Sequence, residues 1–221
     1  MLVREFMTPS LITVRPDTTA RQALSLMRES KVGRFPVVDG HGNLVGIVSR
    51  EDLLSSSPSP ATLLAVWEIP ALLAKIKVEK VMSRPVITVS EDTPLEEAAR
   101  IMADKKIGGL PVMREKTLSG IITDTDLFKV LMELLGGRRV GVRATASIFG
   151  VKGTLAKITS AVFGAGGDIV GFGIREVPND SGPTWQIILK VQDVPKDRLV
   201  EALRPVVNDI QDIREMRHSL A

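Results

Sequence analysis

Two segments of this chain pair a hydroxyl with a carboxylate three residues later. Ser49-Arg50-Glu51-Asp52 follows Gly46-Ile47-Val48, and Thr123-Asp124-Thr125-Asp126 follows Gly120-Ile121-Ile122. Each lies where a short apolar strand should hand over to a helix. One use of this spacing is a capping box, in which the acid accepts from the cap residue's amide. The other is a ribose clamp: a carboxylate at a helix start accepts from ribose hydroxyls, while nearby amides and the hydroxyl favour phosphate. The spacing leaves both open, and the two can hold at once.

Phosphate also needs cations, and the two segments differ in their supply. Lys31, Arg34 and Arg50 accompany the first. Lys105 and Lys106 accompany the second, which has Gly109 where Arg34 would stand and Asp124 where Arg50 would. An acid there repels phosphate by an amount that solvent strongly reduces. The rest of the chain offers little further chemistry. It has no cysteine, and its two histidines, His41 and His218, cannot build a metal site between them. With no triad, no P-loop and no base beside the hydroxyls, the expected class is a binding protein and not an enzyme.

The elements that position these segments come from an internal repeat. A shift of 75 positions lays Met7 on Met82, Ile12-Thr13-Val14 on Ile87-Thr88-Val89, Lys31 on Lys106, Gly33 on Gly108 and Pro36-Val37 on Pro111-Val112. One deletion later, Gly46-Ile47 meets Gly120-Ile121 and Asp52-Leu53 meets Asp126-Leu127. Each copy reads as a short extended segment, an amphipathic helix, two strands and a closing helix opened by Ser49 or Thr123. The first helix buries Ala20, Ala23, Leu24 and Met27 on one face; its counterpart uses Leu95, Ala98, Ala99 and Met102. Repeat 1 spans 1–56 and repeat 2 spans 78–137. Between them, 57–77 reads as a Ser- and Pro-rich turn and then an apolar linker helix interrupted at Pro70.

From Arg138 the pattern changes to strand (140–148), helix (154–163), strand (168–177), strand (184–191), helix (195–207) and strand (209–216). This βαββαβ order predicts a four-stranded antiparallel sheet with both helices on one face, the ferredoxin-like arrangement. The fold class is therefore α/β, in the α+β sense. The open sheet face is expected to put Ile174, Ile187 and Leu189 among apolar neighbours and to be covered by a second copy, giving a homodimer.

The net charge of +3 sits entirely in 138–221, which hold 12 Lys/Arg against 9 Asp/Glu; the first 137 residues carry 17 of each. A neutral N-terminal region argues against nucleic acid as a partner. Met1 to Met7 lack the apolar run of a signal peptide. No stretch approaches the ~18 apolar residues of a membrane span, so the default expectation is a cytoplasmic protein without membrane contact.

The motifs Met7-Thr8-Pro9, Ile12-Thr13-Val14, Gly33-Arg34-Phe35-Pro36-Val37-Val38-Asp39 and Gly46 to Leu53 resemble a CBS domain. Having them twice resembles a Bateman module across nearly all of 1–137. Residues 138–221 resemble an ACT domain, and the combined order is similar to that of the acetoin-utilisation AcuB-type proteins. The resemblance implies an adenosyl ligand (AMP, ADP, ATP or S-adenosylmethionine) in the clefts between repeats, as a regulatory ligand and not a catalytic cofactor. It places ribose on Asp52 and Asp126 beside Ser49 and Thr123. Phosphate falls near Arg34, Arg50 and Lys106, with Asp124 at the matching place in repeat 2. The base falls along Thr13, Val14, Thr88 and Val89, next to Pro36 and Pro111. Thr13 and Thr88 are the better candidates there, because a buried hydroxyl requires a partner. In the family each cleft borrows groups from the opposite repeat, so Arg34 is expected to serve the cleft of Asp126.

In ACT domains the loop after the first strand meets the ligand. Here it is Gly150-Val151-Lys152-Gly153-Thr154-Leu155, whose amides would take an amino-acid carboxylate. Gly150 and Lys152 stand where AcuB-like loops offer an Asn or Asp and then a Pro. That removes the partner for an ammonium group and favours a dimerising domain over an amino-acid sensor. The expected function is a regulatory sensor of adenine nucleotide; the alternative is a structural adaptor with empty clefts.

Overall fold

The computed structural model describes residues 1–55, 75–178 and 184–217, which fall into two compact units, Met1–Leu127 and Phe128–Ala221. In the first unit α1 (Val3–Phe6), α2 (Ala20–Glu29), β1 (Arg34–Val38), β2 (Leu44–Ser49) and α3 (Arg50–Ser55) are followed by β3 (Val89–Ser90), α4 (Leu95–Lys105), β4 (Gly109–Arg114) and β5 (Thr117–Thr123); α5 (Asp124–Leu134) starts in this unit and runs into the second. Helix α2 starts at a reciprocal Thr19–Gln22 capping box. Its expected face, Ala20, Ala23 and Met27, is fully buried against Phe35, Val37, Val48 and Leu53.

The first extended segment of repeat 1 shrinks to a single bridge at Val14, whose amide donates to the Pro36 carbonyl at 3.2 Å and whose carbonyl accepts from the Val38 amide at 3.0 Å. In repeat 2 the parallel ladder runs further, through the Glu91 amide to the Met113 carbonyl at 3.3 Å. The repeat register puts Pro16 at the position of Glu91, and a proline has no N–H to donate.

Each repeat's leading segment is bound by the other repeat. Val3 and Arg4 donate to the carbonyls of Thr93 and Glu91, and Val78 and Glu79 donate to those of Thr18 and Pro16. Thr8 pairs with Ile121, and Ser83 with Ile47. Two glycines make room for the methionines that follow: a Cβ on Gly46 would collide with Met82 Sδ, and one on Gly120 would lie 2.6 Å from Met7 Sδ. The apolar linker helix expected over 57–77 lies largely outside the described residues; Val78–Lys80 forms one turn of 3-10 helix.

The second unit has β6 (Gly141–Phe149), α6 (Thr154–Gly164), β7 (Asp168–Val177), β8 (Thr184–Gln192), α7 (Lys196–Leu203) and β9 (Asp209–Met216), in the antiparallel order β7-β8-β6-β9. Helix α7 stops before the expected 207 because Pro205 cannot donate to the helical carbonyl four residues back. The Ala144–Leu189 and Ala146–Ile187 pairs share one face with Ile158 and Val162 of α6 and Leu199 and Leu203 of α7.

An apolar open face is not what the sheet presents. Ile187 and Leu189 are fully buried under the helices, and Ile174 is 44% exposed. The alternate residues Arg143, Thr145, Gln186 and Lys190, with Ile188 among them, make the other face largely polar, joined there by Asp212. The turn after α5 rests on this face, with Gly136 against the stem of Lys190 and Leu135 against Gly171. The two compact units divide between Leu127 and Phe128. Burial pushes the Lys190 ammonium below the usual lysine range, and the Arg143 charge adds to the effect.

Candidate functional site

The Ser49–Asp52 spacing folds as a capping box. The Ser49 amide and hydroxyl each donate to Asp52 Oδ2 at 2.7 Å, and the Asp52 amide returns a bond to Ser49 Oγ at 3.1 Å. Asp52 Oδ1 makes no hydrogen bond among the described residues. The Arg50 amide donates to the Gly33 carbonyl at 2.8 Å, which fixes this junction against the start of β1. Repeat 2 copies the arrangement: the Thr123 amide and hydroxyl donate to Asp126 Oδ2 at 3.1 and 2.7 Å, and the Asp124 amide donates to the Gly108 carbonyl at 3.2 Å.

A cleft of about 440 Å³ opens beside Asp52, a volume suited to a small-molecule ligand. Repeat 1 lines it with Arg34, Ser49, Arg50, Glu51 and Asp52; Ser83, Ile87, Lys106, Ile107 and Gly108 line it from the repeat 2 side. Lys106 caps α4 in the left-handed region at φ 54°, and its counterpart Lys31 has φ 55°. That conformation is costly for a side chain larger than glycine and marks positions worth inspecting for function.

Of the residues expected at a ligand, the structure gathers Arg34, Ser49, Arg50, Asp52 and Lys106 in this cleft. Arg34 lines this cleft and also lies over Gly108 and Gly109 of repeat 2, near Asp124. Val14, Val89, Pro36 and Pro111 are buried in the core and do not line it. Thr13 is half-buried and Thr88 exposed, so a buried-hydroxyl argument does not apply to Thr88. Thr123, Asp124 and Asp126 form the matching junction of repeat 2. Ser83, Ile107 and Gly108 escaped the sequence reading. Only Gly108 carried a signal, its register with Gly33.

In the second unit, Gly153 opens α6 at φ 86° without a side-chain cap. The Thr154 hydroxyl donates to the Val151 carbonyl at 2.9 Å, and Gly150 is packed so closely on Trp185 that a Cβ would collide with the indole. Val151 is 64% exposed. Lys152 is the one charged side chain between Gly150 and Leu155, and it cannot accept from an ammonium group.

A model of the CBS domain matches residues 3–59 and 78–133, just over half of the chain. The chain belongs to the CBS domain family. A CBS domain-containing protein of Dictyostelium discoideum is 35% identical over 136 residues, covering 61% of this chain and 94% of that protein. The solved CBS domain pair of the protein MJ0100, in complex with 5'-methylthioadenosine and S-adenosyl-L-methionine, aligns with a TM-score of 0.51 and 26% identity, covering 63% of this chain and 98% of that one. A putative acetoin utilization protein (AcuB) from Vibrio cholerae aligns with a TM-score of 0.50 and 32% identity, covering 61% and 92%. Some curated relatives are much longer, and the CBS pair spans only about a third of one from Methanocaldococcus jannaschii. Among the described residues no helix is long and apolar enough to cross a membrane, and no group of His, Cys, Asp and Glu is arranged to hold a metal ion.

Proposed function

We propose that this CBS pair is a regulatory, non-enzymatic sensor that binds an adenosyl ligand in the cleft beside Asp52. The observation that carries the reading is what meets in that one cleft: a carboxylate with an unused oxygen, a hydroxyl, and the cations Arg34, Arg50 and Lys106. A ribose diol donates to Asp52 Oδ1, while the cations take phosphate or another anionic group. Ile87 and Ile107 supply apolar surface for a base. The adenosyl compounds held by the MJ0100 pair support this ligand class. No bond is made or broken; the effect of the ligand is to favour the conformations that hold it. Thr123 and Asp126 form a second junction of the same capping type, with Asp124 where repeat 1 has Arg50.

We read the C-terminal unit as an ACT domain on the strength of its βαββαβ order and its antiparallel strand order β7-β8-β6-β9. Because its loop has no Asn or Asp side chain to meet an ammonium group, assembly into a homodimer is preferred for it over amino-acid sensing. A cytoplasmic location completes the reading.

Thermal melts with AMP, ADP, ATP and S-adenosylmethionine test the proposal. At a hundredfold excess over the dissociation constant, one site stabilises by about 2.7 kcal/mol. If millimolar concentrations of all four leave the melt unmoved, the clefts are empty and the chain is a structural adaptor.

A further inference from the structure

The two capping junctions are unequal in charge, with Arg50 in repeat 1 and Asp124 in repeat 2, and the inequality converges on Gly108. A Cβ built there would collide with Arg34 Nη2 and lie 2.7 Å from Asp124 Oδ2, so a guanidinium from repeat 1 and a carboxylate from repeat 2 approach the same point. The neighbouring glycine completes the berth: a Cβ on Gly109 would lie 2.9 Å from both Cδ and Nη1 of Arg34. Any larger residue at either position would displace the arginine. Arg34 makes no ion pair within 4.0 Å and no hydrogen bond among the described residues. Asp124 is held from one side, its Oδ1 accepting from the Thr125 amide at 2.6 Å, which leaves Oδ2 toward Arg34. Arg34 also lines the cleft of Asp52.

We propose that Asp124 is a built-in competitor for Arg34, drawing the guanidinium over Gly108 and Gly109 and away from the anionic group of a ligand in the Asp52 cleft. The inference rests on the nucleotide reading and deepens it. A carboxylate this close, and not locked into an ion pair, attracts the guanidinium without capturing it. A ligand phosphate carries more charge than one carboxylate and takes the arginine over, whereas a neutral nucleoside cannot. Asp124 therefore sets the selectivity of the Asp52 cleft for phosphorylated over unphosphorylated adenosyl ligands. In repeat 1 the same position is Arg50, which favours phosphate, so the opposition is particular to this pairing.

Calorimetric titration of the full chain with AMP and with adenosine tests this in four forms: unaltered, Asp124→Asn, Arg34→Ala and the double variant. Asp124→Asn should tighten AMP about three- to tenfold and leave adenosine unchanged. In the Arg34→Ala background the same substitution should lose most of that gain. Unchanged AMP affinity in Asp124→Asn, an equal gain for adenosine, or a full gain without Arg34 would each overturn the competitor role while leaving the nucleotide reading intact. If the unaltered chain binds neither compound, the nucleotide reading has failed. The Arg34 Nε–H resonance of the free protein then decides the competitor role by itself: Asp124→Asn must move it, and an unmoved resonance overturns the inference.

Discussion

Asp52 and Ser49 grip each other through three hydrogen bonds: the Ser49 amide and hydroxyl both donate to Asp52 Oδ2 at 2.7 Å, and the Asp52 amide donates to Ser49 Oγ, so Oδ2 is the one carboxylate oxygen used. The cap and the proposed ribose contact thus share one residue without competing for the same atom. Removing the side chain has a stability cost that can be read without any ligand. Asp52→Ala should lower the unfolding free energy by about 1 kcal/mol, the usual value of a lost cap, in a denaturant melt of the free protein. A loss near zero would mean that the capping box contributes nothing to α3.

Lys106 holds a left-handed backbone that glycine adopts at no steric cost. Lys106→Gly should therefore leave the free protein as stable or stabilise it, by up to about 1 kcal/mol, and still weaken AMP binding. Stability and affinity moving in opposite directions would mark the residue as kept for its ammonium group. A variant that is less stable and binds equally well would show instead that Lys106 serves only the fold.

The repeat itself was legible because its signals are local. Spacing alone placed Ala20, Ala23 and Met27 on a buried face and put capping pairs at Ser49–Asp52 and Thr123–Asp126. The exchange of leading segments between repeats was not legible, since Val3 and Val78 find their carbonyl partners about 60 to 90 residues away and no periodicity encodes that. For the same reason Ser83 and Ile107 entered the cleft unannounced. In β8 the run Ile187-Ile188-Leu189 hid the alternation that sends Ile187 and Leu189 under the helices and Lys190 to the other face.

Gly46 and Gly120 carry that exchange, and Gly46 can be tested directly. Gly46→Ala should destabilise by roughly 1–3 kcal/mol, the range for overpacking a filled core, because its new methyl group meets the Met82 side chain. Met82→Ala in the same chain should relieve part of that loss, measured as non-additivity in a double-mutant cycle. Strictly additive losses would mean that Gly46 is needed for its backbone alone.

Lys190 gives a pH-dependent signature. Its folded-state pKa lies below the ordinary lysine value, so the unfolded chain holds this proton more tightly. Stability lost to the buried charge is fully lost at pH 7 and is regained as pH rises from the folded-state pKa toward the unfolded value of about 10.4. Lys190→Met keeps the apolar stem over Gly136 and removes the charge. It should raise the melting temperature at pH 7 by about 2–4 °C, as expected for about 1 kcal/mol in a chain of this size. The advantage should shrink above pH 10. A variant that melts lower at pH 7 would mean that the ammonium group is paired and useful where it lies.

Binding to the Asp52 cleft is tested most directly by calorimetric titration of the free 221-residue chain and of Asp52→Ala and Asp126→Ala with AMP and S-adenosylmethionine. Asp52→Ala should lose a charge-assisted hydrogen bond of about 1.5–3 kcal/mol, or roughly ten- to a hundredfold in affinity, for whichever compound the unaltered protein binds. Asp126→Ala should leave that site within about twofold, well under 1 kcal/mol. Equal affinity in the unaltered protein and in Asp52→Ala would contradict the account, because the carboxylate would then be a helix cap and nothing more.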